Sequence, residues 1–255
     1  MSAEPPKPTT SNMRSLERAI DVLEVLDDGR QPLRLIDIAR QAGLPVATTQ
    51  RILNVLEARG RVERDATGYR PGLGLLFGAH AYLSTSPLVL TGRPVMQDLA
   101  AETGLTVSLF KRADWRRVVL ARVVGTHPVR YEMPIGERLP LHLGAGKVLA
   151  AAMDQEEVSR LFDELDNPAR ANGTILTRED FFKDLEEIRR RGYAHSVAER
   201  DPGVASVAAS ITTAGSTSLA AVQVLGPREE LPAHRIEALG IEVQRAAFAI
   251  SRRIS

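Results

Sequence analysis

Ala47, Gln50, Arg51 and Asn54 fall within eight residues of one another. On a helix turning about 100° per residue they share one face, with Thr48 at its edge. The chemistry of that face is hydrogen bonding to base edges. Gln and Arg offer paired donors and acceptors, and a small Ala permits close approach. Arg34 precedes the helix before it, and Arg64 and Arg70 flank a turn that follows. Their charges suit phosphates rather than bases. A solvated helix face on an ordinary helical hairpin would carry similar residues, so the face needs its surroundings to give it meaning.

A second stretch invites phosphate chemistry. Gly144-Ala145-Gly146-Lys147 ends like a phosphate-binding loop. Such a loop needs Gly five positions before the last Gly and Ser or Thr after the Lys. Leu141 and Val148 stand there instead. The stretch reads as a glycine turn opening a helix, whose amides can receive a small anion. His80, His127, His142, His195 and His234 are scattered, none at metal-ligand spacing on one helix, and no Cys assists them. His142 with Glu137 or Ser206 makes no recognisable acid–base spacing, and no G-x-S-x-G elbow occurs. Neither a catalytic set nor a metal or cofactor is expected.

The elements that must position the first face run from Leu33 to Gly60. Leu35, Ile36, Ile38 and Ala39 recur at helical spacing, Gly43 allows a sharp turn, and Pro45 suits a first helical turn. Thr49, Ile52, Leu53 and Leu56 form the buried face of the second helix, centred on Leu56. Residues 61–65 and 68–71 read as two short strands around a turn, a wing. A preceding helix, capped by Ser15, carries Leu16, Ala19, Ile20, Leu23 and Leu26 on one face and closes at Gly29.

Beyond Leu73 the pattern changes. Residues 73–84 form an apolar helix whose hydrophobic residues surround it, more than one small domain can cover. That favours packing against a second copy. A helix over 88–103 ends at Gly104. Strands are expected at 105–110, 117–124, 129–133, 203–211 and 219–225. Helices are expected at 146–153, 155–165, 178–191 and 228–253. Strands with helices outside them make an α+β domain. The expected division is a disordered tail at 1–12, a winged helix-turn-helix domain at 13–72, a linker helix at 73–86 and an α+β domain at 87–255.

A chain of 255 residues fits two domains, and 44% hydrophobic with 25% charged residues places it among globular proteins. No apolar run approaches a membrane span, and no signal pattern opens the chain. The absence of Cys excludes disulfides and thiol catalysis and fits a cytoplasmic setting. Net charge is +1 overall, but residues 29–72 hold eight Arg against four carboxylates, whereas residues 1–28 hold three cations against six. The basic excess falls on the winged segment.

These segments resemble the IclR-type transcriptional regulators. The resemblance is carried by SLERAIDVLEVL, IDIARQAGLPVATTQRILNVLEARGRVERD and GYRPG, then by IGERLPLHLGAGKVLAA, EIRRRGYA, DPGVASVAASI and AAVQVLGP. It spans about Ser15 to Ser251. It implies a winged helix-turn-helix domain, a linker helix and a GAF-like effector domain. It also implies homodimers, often paired as dimers of dimers, that bind a palindromic double-stranded DNA operator and answer a small-molecule effector. Three features depart from the family pattern. Val46-Ala47 replace the usual Lys-Ser, Gln50 replaces an aromatic residue, and the loop between His142 and Gly144 is one residue shorter.

By that resemblance the effector pocket falls on Tyr131, Leu139, Gly144, Ala145, Ser196, Val204, Ser206, Gln223 and Leu225. Ser196 stands where an acidic residue is frequent. These residues describe apolar walls with few polar groups, mainly Ser206, Gln223 and the amides of the 144–146 turn. A small aromatic or carboxylate-bearing metabolite suits that lining better than a sugar. The reading is a ligand-responsive DNA-binding regulator. The alternative is an enzyme or metabolite-binding protein whose N-terminal domain makes protein contacts.

Overall fold

The computed structural model describes residues 10–254 except 30, 128, 130–132, 166, 167, 172 and 213–219, with only the backbone of residues 10–12. The chain divides into two compact units, Met1–Tyr82 and Leu83–Ser255.

In the first unit α1 (Thr10–Asp28), α2 (Leu35–Gln41) and α3 (Val46–Ala58) precede β1 (Val62–Arg64) and β2 (Tyr69–Pro71). Val22, Leu26, Ile38, Leu53, Val62 and Tyr69 form its buried core. The centre of the α3 buried face is Leu53 with Thr49, while Ile52 and Leu56 are only half-buried. Helix α1 starts before Ser15, which therefore lies inside it rather than capping it. With Arg18 at the third position no reciprocal bond marks a stop, so the helix continues back into the expected tail. Ile36, expected inside, is exposed because the buried stripe of α2 is only Ile38 and Ala39. Gly43 has φ +65°, the left-handed conformation the turn demands. Pro45 is the N-cap of α3, one position before the expected one, and its carbonyl accepts the Thr48 and Thr49 amides and the Thr49 hydroxyl.

The wing strands are antiparallel, and Tyr69 also bridges Leu33, so β2 is sewn to the entry of α2. Their turn is held by Asp65, whose Oδ1 accepts the Thr67 and Gly68 amides and the Thr67 hydroxyl. Next comes α4 (Gly74–Thr85), which has no buried residue. Leu76, Phe77 and Tyr82 are exposed, whereas Leu83 packs against the core of the second unit.

The second unit is a six-stranded antiparallel sheet in the order β5-β4-β3-β8-β7-β6. Its strands are β3 (Thr106–Ala113), β4 (Arg116–Val123), β5 (Arg138–Pro140), β6 (Ala194–Val197), β7 (Val204–Ile211) and β8 (Ala220–Pro227). One face is covered by α5 (Pro87–Thr103) and α9 (Ala233–Ile254), which bury Met96, Leu99, Val243 and Ile250 against Val107, Leu109, Val207, Val222 and Val224. The other is covered by α6 (Gly146–Ala151), α7 (Gln155–Asp163) and α8 (Arg178–Arg191), with Leu149, Leu161, Phe181 and Leu185 against Phe110, Ala208 and Ala221. Asp154 opens α7 with a reciprocal capping box to Glu157.

Several boundaries differ from expectation. β6 was not expected, because Ala-His-Ser-Val alternates too weakly over four residues to be read as a strand. The last helix does not run unbroken from 228, since Pro232 separates a 3-10 turn at Arg228–Glu230 from α9. Of the strand expected at 129–133, residues 130–132 lie outside the described residues, and Val129 and Met133 are not in a strand. Among the described residues no helix is long and apolar enough to cross a membrane.

Candidate functional site

The outer face of α3 is built as its spacing requires. Ala47, Arg51 and Asn54 are exposed, Gln50 and Thr48 half-buried. No acidic residue occupies the first turn. Gln50 is not a free reader: its Nε2 donates to Asn54 Oδ1 at 2.7 Å and to the Tyr69 hydroxyl at 3.0 Å. The recognition face and the wing are thus one hydrogen-bonded unit.

The basic residues around it differ in freedom. Among the described residues Arg51 makes one long contact, 3.4 Å, to the Ala47 carbonyl of its own helix. Arg64 stacks over the Tyr69 ring, 5.2 Å from its centroid. Arg34 pairs with Asp37 at 3.0 Å but keeps 81% of its side chain exposed. Arg70 lies between Glu63 and Asp65, both at 3.1 Å. The Leu73 amide and then Arg70 hold Glu63 below its ordinary value, and Asp65 is lowered first by Thr67. Both stay charged, so Arg70 is a wing clasp before it is a phosphate contact.

The second unit holds a cavity of about 60 Å³. One water needs about 10–15 Å³ on that measure, so the space admits a small organic molecule. Gly144, Ser196, Val204, Ser206, Gln223 and Leu225 line it as expected. Leu139 and Ala145 do not: both are buried in the core behind the wall. Tyr131 lies outside the described residues. Ser196 and Ser206 face each other across β6 and β7, and Leu225 follows in register on β8.

The cavity is more charged than its sequence suggested. Arg117, Glu199, Arg200 and Asp201 join the wall, with Val129, Met133 and Leu143. Arg117 is 2% exposed. Its Nη1 donates to the carbonyls of Pro140 and, at 2.6 Å, Leu143, and the guanidinium lies over Phe110 at 5.1 Å. Burial, with Arg200 nearby, pulls it down to about 9, and it remains a cation at neutral pH. Gly146 is required here, since a Cβ would stand 2.5 Å from Arg117 Nη1 and from the Leu141 backbone. No spacing signal marks Arg117, because the run that holds it, RRVVLARV, does not alternate. Glu199 and Arg200 belong to no motif singled out in the sequence.

The amides of the 144–146 turn were expected to receive a ligand, and those of Gly144 and Gly146 are engaged within the protein. Gly144 N donates to Glu199 Oε2 at 2.9 Å, and Gly146 N to the Leu143 carbonyl. Lys147 points into the protein, pairing with Glu199 at 2.6 Å and Asp184 at 2.9 Å. Gln223 lies beside Gly144, where a Cβ would meet Gln223 Nε2 at 3.5 Å and Arg117 Nη2 at 3.4 Å. Among the described residues the buried Gln223 Oε1 has no hydrogen-bond partner. A buried acceptor without a donor is costly, so a ligand that supplies one is favoured.

Residues 15–66 match the IclR helix-turn-helix domain, and residues 80–252 match the family described as bacterial transcriptional regulator IclR C-terminal. The transcriptional repressor IclR of Escherichia coli (strain K12) is 29% identical over 249 residues, covering 96% of this chain and 91% of its own. An IclR family transcriptional regulator from Brucella abortus superposes with a TM-score of 0.79 at 26% identity, covering 94% of this chain and 92% of that one. An IclR homolog from Microbacterium hydrocarbonoxydans, solved in complex with 4-hydroxybenzoate, shares the fold with a TM-score of 0.74 at 22% identity, over 94% and 98% of the chains.

Proposed function

Because the chain belongs to the IclR family of bacterial transcriptional regulators, we propose that it is a repressor whose hold on its operator is set by a small carboxylate-bearing metabolite. The repressor sense follows the name of its Escherichia coli relative. The observation that carries the effector class is the buried Arg117 on the cavity wall beside the unpartnered Oε1 of Gln223. Arg117 attracts a carboxylate in a site where water screens little. Gln223 accepts from a ligand hydroxyl or donates to its acid, while Val129, Met133, Val204 and Leu225 suit an aromatic or aliphatic body. A sugar has more hydroxyls than this wall can satisfy.

On this reading residues 13–72 hold DNA, 73–86 pair with the same helix of a second copy, and 87–255 bind the effector. Ala47, Gln50, Arg51 and Asn54 face the major groove, and Arg34 and Arg64 reach phosphates. A homodimer presents two such faces to a palindrome, and dimers of dimers would occupy longer operators. The effector acts by binding one arrangement of the paired DNA-binding domains better than another. The exposed Leu76 and Phe77 of α4 support pairing. The protein then works on chromosomal DNA in the cytoplasm.

Genomic footprinting with the purified protein tests the first half, and carboxylic acids from the neighbouring operons, added to the protected fragment, test the second. Gln223→Leu should keep the footprint and lose the response. Failure to protect any DNA, or an unaltered response in Gln223→Leu, would overturn the respective half.

A further inference from the structure

Glu199 lies on the cavity wall, and its carboxylate occupies an amide and an ammonium at once. Oε2 accepts the Gly144 amide at 2.9 Å, and Oε1 accepts Lys147 Nζ at 2.6 Å. A turn amide and a lysine are the groups that would receive an anion entering the cavity from that end. The protein supplies that anion itself.

The surrounding backbone fixes Glu199 there. Ala198 has φ +54°, an unusual conformation for a residue with a Cβ. Such a position is strained and persists when its neighbours over-determine it. Here the Ala198 amide donates to the Val204 carbonyl at 2.9 Å, and the Glu199 carbonyl accepts the Ala171 amide at 2.8 Å. Asp184 holds Lys147 from the other side at 2.9 Å, so the ammonium is not turned toward the cavity. Arg117 differs: the hydrogen bonds described for it go to carbonyls rather than to a carboxylate, and although Glu199 and Glu137 offset part of its charge, Arg200 adds a second cation to the same wall.

We propose that Glu199 sets the charge specificity of the cavity, admitting a ligand with one carboxylate seated at Arg117 and rejecting one whose second carboxylate approaches Gly144. This rests on the effector reading above. A second ligand carboxylate would meet Glu199 in a poorly screened space and find the amide and the ammonium already taken. A role confined to holding Lys147 and the turn would affect all ligands alike.

Calorimetric titration of the full chain with 4-hydroxybenzoate and with 4-hydroxyisophthalate, which adds one carboxylate, separates these roles. Wild type should prefer the monoacid by about tenfold or more. Glu199→Gln keeps the shape and an acceptor but removes the charge, and should narrow that preference about tenfold by strengthening the diacid. Glu199→Asp, still anionic, should keep most of the preference, and thermal melts confirm that each variant is folded. Equal affinity of wild type for the two acids, or an unchanged ratio in Glu199→Gln, overturns the inference. Should Glu199→Gln fail to fold, the wild-type ratio decides alone. If the monoacid binds and Gln223→Leu abolishes it while the ratio ignores Glu199, only the charge filter falls. If neither acid binds wild type, the charge filter falls for these ligands, and the effector class is decided by the response of the protected fragment to the operon acids.

Discussion

The Gln50 side-chain amide on the recognition helix donates to the Tyr69 hydroxyl on the wing at 3.0 Å. Tyr69 is 3% exposed and also bridges Leu33, so it ties together α3, the wing and the entry to α2. Gln50 in turn fixes Asn54 at 2.7 Å. Tyr69→Phe removes only the hydroxyl. It should cost about 0.5–1.5 kcal/mol of stability. It should also broaden base preference under Gln50 and Asn54, because both side chains regain rotamer freedom. Selection from a randomised operator library beside a denaturant titration reads both effects, and an unchanged base preference would show that Gln50 reads no base through this arrangement.

Arg51 and Arg70 separate base reading from wing integrity. Arg51 is exposed with one weak contact, and Arg51→Ala should cost about 1–3 kcal/mol of operator binding and relax one base position. Arg64→Ala should lower the salt slope by about one and leave sequence preference intact. Arg70→Ala should lower the slope less, since Glu63 and Asp65 already neutralise it, and should loosen the wing instead. Affinity against salt for the three variants tests this order; a larger slope change in Arg70→Ala than in Arg64→Ala would reverse it.

The helix-turn-helix was legible because its signals are local: helical periodicity, Gly43 in the left-handed region and a capped wing turn. The strands β3, β4, β7 and β8 were legible as apolar runs between turns. The charged half of the cavity was not, because it is assembled by register. Arg117 faces inward only because β4 pairs with β3 and β5, and Glu199 reaches Gly144 across 55 residues of chain. The partners of Lys147 were hidden for the same reason: the loop already set aside as a phosphate cradle turns its ammonium toward Asp184 and Glu199, which come from distant segments. Ala145 was mapped to the cavity and lies in the core one layer behind it.

Helix α4 bears Leu76 and Phe77, 61% and 67% exposed, and no buried residue. Covering a leucine is worth about 1.5–3 kcal/mol, and a twofold pair covers it twice. Leu76→Glu should therefore weaken the dimer by at least about tenfold. Its two units should stay folded, because Leu76 is part of neither core. Sedimentation should show a wild-type dimer and a largely monomeric variant that binds a half-site weakly. A wild-type monomer at micromolar concentration would remove the linker helix from the interface.

His142 gives the second unit a pH dependence. It is 9% exposed, its Nδ1 has no partner, and burial, reinforced by the Arg117 charge, lowers it from 6.5 to about 4. The imidazole is thus neutral in the fold down to about pH 4, while in the unfolded chain it takes a proton near 6.5. Between these values the unfolded chain binds more protons, so stability falls as pH drops from 6.5 toward 4 and is unaffected by this group above that window. Allowing for residual screening, the loss is about 2 kcal/mol. Protonation would also place a second cation beside Arg117, so the fold cannot recover the cost by charging the ring in place. His142→Gln removes the titration and keeps a polar side chain. Denaturant unfolding at pH 7.5 and pH 5 should show a smaller pH loss in the variant than in wild type, and equal losses would mean that other groups govern acid stability.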